Sequence, residues 1–168
     1  MNGPAFTIRP ERTGDTAAID ALNDKAFGPG RYARSAYRLR EGRAHEPSLA
    51  FVGEADGVAI GSVRMTRMRI GEKAALLLGP LVVDPGWKDR GCGKALVRTA
   101  VAAAADAGHA LVILVGDESY YGPLGFKAIE PLGAVKLPGP ADPARILVAE
   151  LDAGAAEGLS GLALPAAD

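Results

Sequence analysis

The sequence predicts an α/β (α+β) domain built on a mixed sheet, on three observations. Residues 74–83 (AALLLGPLVV) and 110–115 (ALVILV) are continuous apolar runs that flank a helical pattern over 91–107. That order is a βαβ unit, with parallel strands covered on both faces and a right-handed crossover. Asp56-Gly57 separates two strand-like runs, 48–54 (SLAFVGE) and 58–70 (VAIGSVRMTRMRI), and so marks a hairpin. Gly79-Pro80 interrupts the first apolar run. Proline lacks a ladder donor and glycine weakens a strand, so a bulge or splay is expected there.

The remaining elements follow in order. Phe6-Thr7-Ile8 reads as a short strand closed by Arg9-Pro10. Asp15 or Thr16 caps a helix through the helically spaced Ala17, Ile19, Leu22 and Phe27, which Gly28-Pro29-Gly30 breaks. Tyr32 to Gly42 is a second, arginine-rich helix. Within 91–107, Leu96, Val97, Ala100, Val101 and Ala104 form one apolar stripe, and Gly108 ends the helix. A short helix over Ser119–Leu124 and strands over 126–130 and 145–151 complete the pattern. From Ala153 the chain is Ala/Gly-rich and poorly patterned, so residues 1–152 are expected to form one domain and 153–168 a loosely ordered tail.

Composition excludes several classes. At 168 residues and 17.2 kDa the chain buries roughly 70% of its unfolded surface without staples. A single cysteine, Cys92, forbids an internal disulfide and a Cys-based zinc cluster, and His45 and His109 are not spaced as metal ligands. No metal is expected. No run approaches 18 apolar residues and the N-terminus lacks a leader layout, so the expectation is a cytoplasmic protein with no membrane partner. A net charge of −1 argues against a nucleic-acid partner held by bulk electrostatics.

The chemistry concentrates between Asp84 and Lys94 (DPGWKDRGCGK), where the first βαβ strand turns into its helix. Gly86 and Gly91 have Walker A spacing, but Cys92 follows where lysine is required; Gly91 and Gly93 open a Rossmann pattern, but Leu96 occupies the third glycine position. The turn still suits an anion. Gly91 and Gly93 allow close backbone approach, the unpaired amides of a helix start point outward, and Lys88, Arg90 and Lys94 add positive charge. A second charge feature precedes it. Residues 31–69 hold eight of the thirteen arginines (31, 34, 38, 40, 43, 64, 67 and 69) against four carboxylates. This is a solvated face or a site for an anionic molecule.

The segment LGPLVVDPGWKDRGCGKALV resembles motif A of the Gcn5-related N-acetyltransferases: a strand, then [Gln/Arg]-x-x-Gly-x-[Gly/Ala], then a helix. Here it reads Lys88-Asp89-Arg90-Gly91-Cys92-Gly93, with lysine in the first place. SYYGPLGF resembles motif B, with Tyr121 four residues before Gly125-Phe126; Pro123 and Leu124 depart from the commoner Arg and Phe. The resemblance covers about residues 5–152. It implies a mixed, largely antiparallel central sheet with a splayed parallel pair and a βαβ acyl-CoA-binding unit. It further implies that the backbone of Leu81, Val82 and Val83 pairs with the pantetheine arm of acetyl-CoA. The amides from Lys88 through Asp89, Arg90, Gly91, Cys92 and Gly93 to Lys94 then hold the pyrophosphate. Tyr121 is the implied proton donor to the leaving thiolate, with Tyr120 its competitor. The implied partners are acetyl-CoA and a small amine acceptor, with a homodimer common in the family. Protein acetylation and a non-catalytic acyl-CoA-binding module are the alternatives.

Some roles stay open at this level. Asp117, Glu118, Glu41, His45 or a water chain are the candidates for the general base. Asp117 reads more simply as a helix cap, His45 as an exposed loop residue, and Cys92 as packing. Arg64 and Arg67 are the expected readers of an anionic acceptor.

Overall fold

The computed structural model describes residues 5–28, 39–41 and 43–166. The strands are β1 (Thr7–Pro10), β2 (Phe51–Ala55), β3 (Val58–Ile70), β4 (Lys73–Val83), β5 (Leu111–Val115), β6 (Lys127–Ala128), β7 (Val135–Lys136), β8 (Ile146–Glu150) and β9 (Gly161–Pro165). The helices are α1 (Thr16–Phe27), α2 (Cys92–Asp106) and the single turn α3 (Glu118–Tyr121). The sheet runs β1-β2-β3-β4-β5-β8-β6. Its pairs are antiparallel except for β4 with β5; the short β7 and β9 also run parallel.

Both apolar runs are strands with two covered faces. Leu76 and Leu78 of β4, Val112 and Leu114 of β5, and Leu147 and Ala149 of β8 pack on the α2 side. Their alternates, Ala75 and Leu77, Leu111 and Ile113, Ile146 and Val148, enter the core on the opposite face. A period of two with apolar residues in both phases is what a continuous run encodes. The Asp56-Gly57 hairpin forms with φ of 51° and 78°. Both central residues are left-handed, as a two-residue type I′ turn demands.

The α2 stripe is buried at Leu96, Val97, Ala100 and Ala104, and Gly108, at φ 87°, closes the helix. Helix α2 docks on β2 and β3 through their glycines. A Cβ on Gly53 would lie 2.6 Å from Cys92 Sγ, and one on Gly61 would lie 3.1 Å from both Cys92 Sγ and Leu96 Cδ1. Helix α1 packs against β3 and β4. Its start is pinned by Arg9, which reaches Asp15 at 2.8 Å and Glu54 at 3.1 Å. Asp15 makes no side-chain cap; the Arg9 guanidinium holds its carboxyl down to about 2.

Two expectations need correction or fall outside. The helix over 32–42 lies almost wholly outside the described residues, as do Arg31, Arg34 and Arg38. The tail is not loose where it is described. β9 pairs with Met68–Ile70 of β3, and Leu159 and Ala163 are buried. β2 pairs with β3 no further than Val63, which leaves the far half of that strand an open edge, and β9 covers it. The domain therefore continues past residue 152.

Candidate active site

The site begins at the splay. β4 and β5 share register only at Leu76↔Val112 and Leu77↔Ile113. Beyond Leu77, β4 runs on to Val83 with β3 on one side and, among the described residues, no strand on the other. The register against β3 slips here: Met65 faces Leu78 and Val63 faces Leu81, so Gly79 and Pro80 bulge opposite Arg64. Gly79 takes φ 141°, a conformation other residues avoid. The interruption expected from Gly79-Pro80 is thus a β-bulge, and it lies where the parallel strands part.

A cleft of about 1410 Å³ opens in that gap. β4 contributes Leu78 to Leu81, and the end of β5 contributes Leu114, Val115 and Gly116. Asp20, Asn23 and Phe27, on one face of α1, line it together with Arg40, Arg43, His45, Arg64 and Thr66. Pro140 to Asp142 and Arg145 also line it.

The turn after β4 has the form of an anion cradle. Asp84 caps it by accepting from Gly86 N at 2.8 Å, and its own amide donates to Ile60 O at 2.7 Å. Asp89 and Gly91 then take φ of 63° and 90°. The first backbone bond of α2 runs from Ala95 N to Gly91 O. The amides of residues 89–94 find no acceptor among the described residues. These donors and the positive end of a 15-residue helix fit a pyrophosphate. Arg90 stacks over Trp87 at 4.8 Å, and Lys94 Nζ stands 5.8 Å from the Tyr120 ring centroid. Cys92 turns inward; burial pushes its thiol up to about 11, which suits packing and not nucleophilic chemistry.

Two glycines seat the two tyrosines. A Cβ on Gly93 would come within 2.5 Å of the Tyr120 hydroxyl, and one on Gly116 within 2.5 Å of Tyr121 Cε2. Tyr120 therefore leans on the helix start, while Tyr121 lies across the end of β5 inside the splay. The rings meet edge-on at 4.8 Å, and Tyr121 meets the buried Phe126 at 5.9 Å. Burial, then the neighbouring Tyr120 and Asp117, push the Tyr121 phenol up to about 12.

Of the residues expected at the site, Leu81, Lys88, Tyr120 and Tyr121 line the one cleft. Val82 is buried in the core and offers only backbone, and residues 89–94 form the adjoining turn instead of the cleft wall. Other expectations change. Asp117 stands at the start of α3 without capping it; its carboxylate accepts from Arg145 Nε at 3.1 Å. Glu118 accepts from Ala128 N, away from the cleft. Arg64 is committed to Glu11, with two bonds of 2.9 Å, and Arg67, outside the cleft, to Glu46 at 2.6 Å. His45 is not an exposed loop residue: its side chain is 28% exposed, and Nε2 lies 3.3 Å from Glu11 Oε2. Glu11, Asn23 and Thr66 were not foreseen. A buried Asn in the stripe that carries Ile19 and Leu22 was the one available signal. Among the described residues, no helix is long and apolar enough to cross a membrane, and no His/Cys/Asp/Glu cluster could hold a metal ion.

Comparison with known proteins agrees with this geometry. The acetyltransferase (GNAT) family matches over residues 16–125. An "Uncharacterized N-acetyltransferase YjhQ" of Escherichia coli (strain K12) is 29% identical over 126 residues, 73% of this chain and 70% of that protein. Among solved structures, the GNAT family N-acetyltransferase YhbS from Escherichia coli, in complex with CoA, superposes with a TM-score of 0.82 at 25% identity, covering 99% of this chain and 92% of that one. A GNAT family acetyltransferase from Brucella melitensis, in complex with acetyl-CoA, gives 0.62 at 27% identity over 86% of this chain and 96% of that one. With a family match spanning most of the chain and a fold that splays at the expected strand pair, this protein belongs to the GNAT family of acetyltransferases.

Proposed function

We propose that this protein moves an acetyl group from acetyl-CoA directly to the primary amine of a small molecule. The observation that carries the reading is the unpaired edge of β4 beyond Leu77, which opens into the cleft and leads to a turn of unused amides. An extended pantetheine arm adds to such an edge as a further strand. Leu81, Val82 and Val83 supply that edge, and the amides from Asp89 to Lys94 take the pyrophosphate beside Lys88, whose own amide donates to Pro85 O. A strand amide near Val82 or Val83 faces the thioester carbonyl in an oxyanion role.

Acetyl-CoA supplies an activated acyl thioester. The amine forms the new C–N bond as the C–S bond breaks, and Tyr121 gives its proton to the departing sulfur. A phenol raised to about 12 keeps that proton throughout the neutral range.

The cleft, of about 1410 Å³, has room for a small acceptor beside the acetyl-CoA arm. Its lining sets Arg40, Arg43, Arg64, Lys88 and Arg145 against Asp20, Asp117 and Asp142, and this excess of positive charge favours an acceptor that carries an anionic group.

A thiol-release screen with acetyl-CoA over polyamines, amino acids, aminoglycosides and peptides tests the reading. Release is expected only with an amine present, and Tyr121→Phe is expected to lower kcat about 10²-fold with acetyl-CoA affinity unchanged. Tight acetyl-CoA binding without transfer to any class would make the protein a binding module, and transfer confined to peptides would replace the small-molecule acceptor.

A further inference from the structure

We propose that His45 is the general base of the transfer and that Glu11, clamped by Arg64, is the residue that orients it. The proposal rests on the acetyl-transfer reading and adds to it the group that takes the amine proton. Three things place His45 for this role. It lines the same cleft as Tyr121. Its orienting partner sits on Arg64, the residue in register with the Gly79-Pro80 bulge where the gap begins. Both segments are tied down: Glu46 N donates to Met65 O at 2.8 Å, and Glu11 N to Ala50 O at 2.9 Å.

The contact also favours one tautomer. Nε2 stands 3.3 Å from a Glu11 carboxylate that is 8% exposed and holds Arg64 by both oxygens. A carboxylate only accepts, so the neutral ring places its proton on Nε2 and leaves the lone pair on Nδ1. An imidazole oriented by a buried carboxylate is the arrangement a general base needs. The other candidates lack it. Asp117 is bonded to Arg145, Glu118 to Ala128 N, and Glu41 does not line the cleft.

In the step, the amine lone pair forms the bond to the acetyl carbon and the C–S bond breaks. The proton on the attacking nitrogen passes to His45 Nδ1, and the sulfur takes the Tyr121 proton. Solvent then recovers the first proton from His45 and restores the second to Tyr121, so the balance is one amide and one thiol.

The charged groups facing His45 are Glu11 from the segment after β1, Arg64 from β3, and Glu46 on its own segment, with Arg43 nearby on the cleft wall. Burial and Arg64 outweigh the two carboxylates and hold its pKa below the usual 6.5. The ring is therefore neutral and competent at pH 7, and the competence is lost as pH falls through that lowered value.

The test compares wild type with His45→Gln on the acceptor found in the screen, across pH 5 to 8. Dividing the two kcat values at each pH cancels the acceptor's own ionisation. The expected ratio is about 10² at neutral pH, falling toward one as pH drops through the lowered pKa of His45, with acetyl-CoA KM unchanged and imidazole restoring activity to His45→Ala. Glu11→Gln is expected to move the acid limb to lower pH, which a purely structural role would not do. A flat ratio, or an acid limb removed by Asp20→Asn instead, overturns the proposal while leaving the acetyl-transfer reading intact. NMR titration of His45 gives a readout independent of turnover: a midpoint above 6.5, or a proton on Nδ1, also overturns it.

Discussion

Tyr121 owes its place to a hydrogen atom. Gly116 carries none of the Cβ that would stand 2.5 Å from Cε2 and 3.0 Å from Cδ2 of the ring, so the phenol can lie flat across the end of β5. Gly116→Ala is expected to shift the ring and lower kcat by about 10-fold, since a displacement near 1 Å costs up to about 10² in rate. In a Tyr121→Phe background the same change is expected to add little. Steady-state kinetics on the four proteins of that double-mutant cycle checks the coupling. The tyrosines also show what residue-level reading misses. Their adjacency in sequence hides the fact that one leans on the helix start and the other on the sheet.

At the scale of elements, α2 is aimed at the cleft by how it sits on the sheet. Cys92 fits against Gly53 and Gly61, which brings the helix start down onto β2 and β3 and sets its amides beyond the end of β4. Gly53→Ala drives a methyl into Cys92 Sγ and is expected to cost about 1–3 kcal/mol by overpacking. Removing the sulfur should return part of that loss, so Gly53→Ala with Cys92→Ala should be more stable than the sum of the single changes predicts. Urea midpoints read the difference. The βαβ unit, its helix stripe and the Asp56-Gly57 hairpin were legible because each is a local periodicity or turn chemistry. The bulge was legible as a disturbance, since Gly-Pro cannot continue a ladder. The strand it leaves unpaired followed only from the family resemblance, because an edge is defined by a partner elsewhere in the chain.

Over the whole molecule, the last strand closes the sheet. β9 pairs with β3 where β2 has departed, and Leu159 and Ala163 fill the core on that face. A chain ending at Asp152 is expected to lose about 3 kcal/mol or more, because it exposes those apolar groups and an open edge. Against a total stability of roughly 5–15 kcal/mol that is a large share. A lower melting temperature and a tendency to associate through the bared β3 edge would report it.

The sequence by itself determined the fold class, and it singled out the glycine-rich turn and the tyrosine on which the proposed chemistry rests. Those rest on patterns within about 45 residues, where chain geometry alone decides which groups meet. The tertiary structure decided the rest of the site. Glu11, His45 and Arg64 are separated by up to 53 positions, and no periodicity relates them. They meet because β1, β3 and the segment before β2 converge on one edge of the cleft. An imidazole acquires its tautomer and its lowered pKa only from that meeting, since burial and neighbouring charge are properties of the folded chain.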